Sequence, residues 1–338
     1  MGGMRTLLSI ILLVVSTNAN AKTKKPTCKV PELKRIETSL VVDADSGKIL
    51  HNVNGSQKIY PASLTKLMTL YMAFDALKSS RLYLDRELKI SINAEKMKPC
   101  KLGLKAGETI TAKDAILGLI VKSANDAAVV IAEALAKDED SFAKAMTQMA
   151  HKLGMQNSHF YNASGWHHPE QKTTASDLAR LTLAIKRDFP EYYSWFSKDQ
   201  FKYNGRIIVG HNKVAKNYPG AEGMKTGYTY PAGFNLITTA KRDGKRLIGI
   251  VTGSPAAGVR DAKMVKLLDK HFASLGATND SVFNVKSRGV NSLSGNPKKY
   301  KAGYSVKTKN LAVKNTKLST KKFNKRKKSN KTAKTLSV

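Results

Sequence analysis

The sequence predicts an α+β fold, an antiparallel sheet flanked by helices with an all-α subdomain inserted between its strands. Three observations carry this expectation. Residues 38–52 read as a β-hairpin, residues 113–186 follow a helical period, and residues 207–252 return to β-branched runs ahead of a closing helix.

Taken in order, residues 38–43 are β-branched and apolar, Asp45-Ser46-Gly47 is turn chemistry, and residues 48–52 supply the returning strand. Pro61 precedes Ser63, and Leu67, Met68, Tyr71, Met72 and Phe74 fall at helical spacing, so a buried helix is expected over 64–77 with Ser63 in its first turn. Residues 84–112 mix short strands and loops, with Gly103 and Gly107 as turn points. Helical patterns cover 113–122, 126–135, 141–153 and 176–186, and they place the helical subdomain at roughly 84–190. Strands are expected at 207–209, 223–230, 234–240 and 247–252, and the last helix at 259–275.

The 338 residues suffice for one large domain or two closely packed ones. Residues 1–21 have the pattern of a secretory signal: Arg5, an apolar run from Leu7 to Val15, and small residues at Ala19 and Ala21. The run is far shorter than the roughly 20 residues a spanning helix needs. Residues 22–37 are a polar lead-in, and the folded body is expected over 38–276. Export would place Cys28 and Cys100, the only cysteines, in an oxidising compartment, which leaves open a disulfide or two separate thiols. The net charge is +33, and residues 277–338 hold 17 Lys or Arg against the single acid Asp280. With so few apolar residues and no period, this basic tail is expected to be disordered.

Three short motifs carry the chemistry. Ser63-Leu64-Thr65-Lys66 opens a helix, Ser123-Ala124-Asn125 interrupts two helical runs, and Lys225-Thr226-Gly227 lies on a strand. Each is weak alone: Ser-x-x-Lys recurs at Ser141 and Ser319, and Ser-x-Asn at Ser16, Ser91 and Ser294. Each also has an ordinary explanation, as a helix cap, a turn and a solvated charge. Their order and setting give them weight. A helix puts Lys66 beside Ser63, and a buried lysine near a second cation, such as Lys225, loses its proton readily enough to act as a base. The helix start offers an N–H and a positive end to an oxyanion. Ser123 and Asn125 suit proton relay and amide binding. Lys225 and Thr226 suit a carboxylate, and Gly227 allows a substrate backbone to lie close.

Longer blocks extend these motifs: Tyr60-Pro61-Ala62 before Ser63, Asp126-Ala127-Ala128 after Asn125, Asn162-Ala163-Ser164-Gly165 with Thr174-Ala175-Ser176-Asp177, and Gly223-Met224 and Tyr228-Thr229 around the third motif. Over residues 38–276 the chain resembles the serine D-alanyl-D-alanine carboxypeptidases, the low-molecular-mass penicillin-binding proteins related to serine β-lactamases. The resemblance implies a β-lactamase/DD-peptidase-like fold and removal of the terminal D-alanine from peptidoglycan stem peptides. It implies Ser63 as the acylated nucleophile, Lys66 as its base, and Ser123 and Asn125 in the proton network. Lys225, Thr226 and Gly227 would bind the substrate end, and the N–H groups of Ser63 and Tyr228 would form the oxyanion hole. Arg260, at the start of the closing helix, stands about where the family places an arginine for the substrate carboxylate. No cofactor or metal is implied, and β-lactams are the expected inhibitors.

The chain departs from many members in showing no C-terminal β-rich domain or amphipathic membrane helix in its tail. The tail suits anionic envelope surfaces through charge alone, and nucleic acid is not an expected partner of an exported chain. A β-lactamase is the rival enzyme, but Glu170 lies in the setting His168-Pro169-Glu170-Gln171, which matches the carboxypeptidase block. A zinc carboxypeptidase would need ligand spacing that the adjacent His167-His168 lacks. A catalytically silent wall-binding protein is the non-enzyme alternative. Neither oligomeric state nor the balance between carboxypeptidase and endopeptidase activity is legible in these residues.

Overall fold

The computed structural model describes residues 33–277. The expected signal at 1–21, most of the lead-in, Cys28 and all but the first residue of the basic tail lie outside the described residues.

The chain opens with the expected hairpin, β1 (Thr38–Asp43) and β2 (Ile49–Val53). A 3₁₀ turn at Ala62–Thr65 runs into α1 (Lys66–Lys78). Ser63 therefore sits on the tight turn ahead of the α-helix and not in its first turn, because Ala62 takes a positive φ of 49° directly after Pro61. Next come β3 (Glu87–Lys89), α2 (Ile92–Glu95) and β4 (Thr109–Thr111), with β3 and β4 forming a two-stranded ribbon. α3 (Ala112–Leu117) widens into a π turn at Gly118–Lys122, so the single helix expected over 113–122 is two conformations. α4 (Asn125–Leu135), α5 (Glu139–Lys152), α6 (Ala175–Asp188) and α7 (Pro190–Tyr193) follow. Side chains of Ser91, Thr111, Asp138 and Thr174 cap α2, α3, α5 and α6 by accepting from backbone N–H groups in their first turns.

β5 (Gln200–Tyr203) pairs only with β6 (Arg206–Val209), so the strand expected at 207–209 belongs to a separate ribbon outside the main sheet. After α8 (Lys213–Asn217) come three long antiparallel strands, β7 (Ala221–Thr229), β8 (Gly233–Arg242) and β9 (Lys245–Ser254), and then α9 (Ala257–Ser274). The main sheet runs β2-β1-β9-β8-β7, so both ends of the chain's fold meet in its centre.

Strand alternation divides the sheet between two cores. Leu40 and Val42 of β1, with Ile248 and Ile250 of β9, face the larger core built around α1, α3, α4 and α6. Val41, Leu247 and Val251 face the other way, onto Met264, Leu268 and Phe272 of α9. An aromatic cluster of Phe74, Phe189, Tyr192 and Phe196 ties α1 to the segment after α6. This packing fixes β7 on the sheet edge beside the Ser63 turn.

Candidate active site

The three motifs converge. Ser63, Ser123, Asn125, Thr226, Gly227, Tyr228 and Arg260 line one cleft of about 390 Å³. Lys66 and Lys225 lie beneath its floor, both almost wholly buried. Another cavity, of about 280 Å³, lies between β1, β2 and α6 and contains none of the motif residues.

Lys66 Nζ donates to Ser63 Oγ at 3.0 Å, to Asn125 Oδ1 at 2.6 Å and to the carbonyl of Ser164. Lys225 Nζ donates to Ser123 Oγ at 2.8 Å and to its neighbour's carbonyl, that of Thr226. The middle motif is thus the bridge: its first residue meets one lysine and its third meets the other. The backbone makes this possible, since Ser123 holds a left-handed conformation (φ 61°, ψ 38°) where the π turn ends and α4 begins. That conformation costs a non-glycine residue on the order of 1 kcal/mol.

The surrounding loops are held by side chains. Asn125 Nδ2 donates to the Lys98 carbonyl, and the buried Asp126 carboxylate accepts from the N–H groups of Leu102, Gly103 and Leu104 and of its neighbour Ala127. Those bonds pin the loop that carries the exposed Cys100 at the cleft mouth. Asn235 on β8 donates to the carbonyls of Tyr60 and Pro61 and accepts from Gly253 N–H, which fixes the chain entering Ser63. Glycine is demanded at two points. A Cβ on Gly165 (φ 81°) would stand 1.9 Å from the Ala62 carbonyl oxygen, and one on Gly227 would stand 3.0 Å from Ser63 N. Both backbones lie close against the turn that carries Ser63.

The electrostatics follow from burial. Desolvation first, and the charge of Lys225 second, hold the Lys66 ammonium well below the usual lysine range. Desolvation lowers Lys225 to about 7; Cys100 opposes the shift and Arg260 adds to it. His211 shares a 2.9 Å hydrogen bond with Thr226 Oγ1 and is lowered to about 4, by desolvation and then by Lys225, Arg260, Lys122 and Lys66. It is therefore neutral at neutral pH. Arg260 is buried and ion-paired to Asp261, with Nη1 donating to the Asn235 carbonyl. The arrangement as a whole is a hydroxyl against a lysine that sheds its proton easily, beside a second lysine aimed at the same cleft.

The residues given site roles in the sequence, Ser63, Lys66, Ser123, Asn125, Lys225, Thr226, Gly227, Tyr228 and Arg260, come to this cleft or its floor, whereas Glu170 lines a different cavity and the spare Ser-x-x-Lys copy at Ser141 and Lys144 lies along α5. Sequence reasoning missed His211, Asn235 and Glu139 as contributors, and it quoted Asp126 and Ser164 only inside blocks. Each acts on a partner far along the chain, so no local spacing marks it. Among the described residues no cluster of three or more His, Cys, Asp or Glu is disposed to hold a metal ion, and no helix is long and apolar enough to cross a membrane.

Comparison with known proteins places this constellation in a family. Residues 24–256 match the model of peptidase family S11, the D-alanyl-D-alanine carboxypeptidases. The chain is 36% identical over 236 residues to D-alanyl-D-alanine carboxypeptidase DacD of Escherichia coli, covering 68% of this chain and 61% of that protein. It is 30% identical over 272 residues to DacF of Bacillus subtilis, covering 79% of this chain and 69% of the relative. The crystal structure of penicillin binding protein 5 from Haemophilus influenzae is similar with a TM-score of 0.68 at 33% identity, covering 72% of each chain. The chain belongs to the serine D-alanyl-D-alanine carboxypeptidase family of low-molecular-mass penicillin-binding proteins, and its α+β fold is theirs. It spans roughly 60 to 70% of the length of these relatives.

Proposed function

We propose that this chain is an exported, penicillin-binding serine carboxypeptidase of the bacterial envelope that removes the terminal D-alanine from peptidoglycan stem peptides through an acyl-enzyme on Ser63. The observation that carries the reading is the surroundings of Lys66: a wholly buried amine with three acceptors, one of which is Ser63 Oγ. A neutral amine has two N–H bonds. With those given to Asn125 Oδ1 and the Ser164 carbonyl, its lone pair points at Ser63 and can take the hydroxyl proton.

The reaction follows in balanced steps. Lys66 accepts the Ser63 proton as Oγ bonds to the penultimate D-alanine carbonyl carbon, and the resulting oxyanion rests on the Ser63 and Tyr228 N–H groups. The C–N bond then breaks and the departing amine takes the proton that Lys66 accepted, relayed by the Ser123 hydroxyl that Lys225 holds, so D-alanine leaves as the free amino acid. Water then adds to the ester carbonyl as Lys66 takes one of its protons, the bond to Ser63 Oγ breaks, Oγ regains that proton, and the shortened peptide leaves with a free carboxyl end. Lys225 and Thr226, with Arg260 behind them, hold the terminal carboxylate that peptide and penicillin share. Residues 1–21 serve as the export signal, and the basic tail draws the enzyme to anionic envelope surfaces.

The test is D-alanine release from a pentapeptide ending in D-Ala-D-Ala, run beside cleavage of a D,D-cross-linked muropeptide dimer. The native chain is expected to release D-alanine, and Ser63→Ala to release none while keeping its melting temperature. Release that survives in the folded variant overturns the assignment of Ser63, and cleavage of the dimer alone replaces the carboxypeptidase by an endopeptidase.

A further inference from the structure

Glu139 opens α5 and takes no part in the reaction written above, yet its carboxylate holds the same short loop segment that Lys66 touches. Oε1 accepts from the Ala163 N–H at 3.0 Å. Two peptide groups further along, Ser164 O is one of the three acceptors of Lys66 Nζ. The Ala163 carbonyl is itself held by Thr69 Oγ1 of α1 at 2.7 Å. The segment that presents the Ser164 carbonyl is thus held by Glu139 and Thr69 from two helices, and by Asn162 Oδ1, which accepts at 2.8 Å from the Gly165 N–H of the carbonyl's own peptide.

We propose that Glu139 is a positioning residue for the general base: it holds the Ala163–Gly165 segment whose Ser164 carbonyl orients Lys66, and its carboxylate charge acts on the lysine across that segment. The inference rests on the assignment of Lys66 as the base. The charges facing Lys66 come from several elements: Lys225 on β7 disfavours the ammonium, whereas Asp126 on α4, the Cys100 thiol on the mouth loop and Glu139 on α5 favour it. Glu139 in turn faces Glu133 of α4 and its own neighbour Asp140, both of which raise its affinity for a proton, as does its burial, while Asn93 of α2 donates toward it. A partly buried carboxylate kept beside two like charges is costly to retain for a loop contact that a neutral amide could make. Its charge therefore has a use.

Glu139→Gln keeps an oxygen to accept from Ala163 N–H and removes the charge, whereas Glu139→Ala removes both. The readouts are the pH profile of penicillin acylation at Ser63 and kcat and KM for D-alanine release, with thermal melting as a control for folding. For Glu139→Gln the acid limb is expected to move to lower pH by about half a unit, with the plateau within about twofold of native. For Glu139→Ala, kcat is expected to fall about tenfold with KM little changed, because the carbonyl that orients Lys66 is released. Glu133→Gln, which shares Asn93 but does not touch Ala163, is expected to leave the acid limb in place. A Glu139→Gln profile that superimposes on the native one, or an equal fall in kcat for both Glu139 variants, overturns the proposal. A native chain that penicillin does not acylate points instead to failure of the assignment of Ser63 and Lys66.

Discussion

Two buried regions flank the same sheet and are built on opposite principles. Between the sheet and α9, Val41, Leu236, Leu247, Val251, Leu268 and Phe272 interdigitate, and the charge that meets them, the Arg242 guanidinium over the Phe272 ring, is paired with Asp269. At the β7 edge, the buried side chains include Lys66, Lys225, Arg260, Asn125 and Asp126, gathered round a serine held in a left-handed conformation. The first region stabilises by removing apolar area from water. The second destabilises, since a buried ammonium forfeits hydration that two or three hydrogen bonds only partly replace. The difference teaches that the reactive site is assembled at the expense of the fold and held in place by the apolar region behind it.

The comparison is most severely tested at Lys225. Lys225→Met should lower acylation by carboxylate-bearing penicillins by about 10²–10³-fold, because it removes a charge aimed at the ligand. The same variant should gain about 1–3 kcal/mol of stability at neutral pH. The sign follows from linkage: the folded-state value is about 7 against 10.5 unfolded, so the penalty is complete below about pH 7 and fades as pH rises toward the ordinary lysine range. Denaturant melts at pH 7 and pH 10 check this, the stability gap between variant and native closing at the higher pH.

On the other side of the sheet, Phe272→Ala should cost about 3–5 kcal/mol through the cavity it leaves. Acylation per folded molecule should hold within about twofold, since Phe272 touches nothing in the cleft. A chemical melt paired with an active-site titration separates the two quantities.

The pH dependence should show two limbs of different origin. Lys66 must be neutral to act, so kcat should fall on the acid side as it gains a proton. Lys225 must be charged to meet a carboxylate, so kcat/KM should fall above about pH 7 while kcat does not, because bound carboxylate retains that proton. A substrate amide lacking the terminal carboxylate should lose the alkaline limb and keep the acid one. The smallest effect is expected at Ser123→Gly. The positive φ suits glycine, so stability should change by less than about 1 kcal/mol, and upward, while acylation slows by at least tenfold through loss of the hydroxyl.

The two regions were also unequally legible in the sequence. The apolar one could be read element by element, because the apolar, β-branched runs of β1, β8 and β9 and the period of α9 are local signals. The reactive one was legible where its residues form contiguous motifs, as at Ser63 and Lys66, Ser123 and Asn125, and Lys225 to Gly227. It was not legible at Asn235, His211 or Glu139, single polar residues whose partners lie from 15 to 175 positions away. Likewise, β5 is four residues with Gln200 and Lys202 on its exposed face, too short and too polar to announce a strand, and its absence from the reading is why residues 207–209 were expected in the main sheet. The 3₁₀ start at Ser63 depends on a positive φ at Ala62, which no residue type there predicts.

The central claim is that Ser63 is the group acylated and that its reactivity comes from a neutral Lys66. Incubation of the purified chain with a fluorescent penicillin, followed by peptide mass mapping at several pH values, tests both halves together. The account predicts a stable adduct on Ser63 whose rate of formation falls on acidification and which is absent in Lys66→Met. An adduct on another residue, or labelling of Ser63 at an undiminished rate in Lys66→Met, would contradict it.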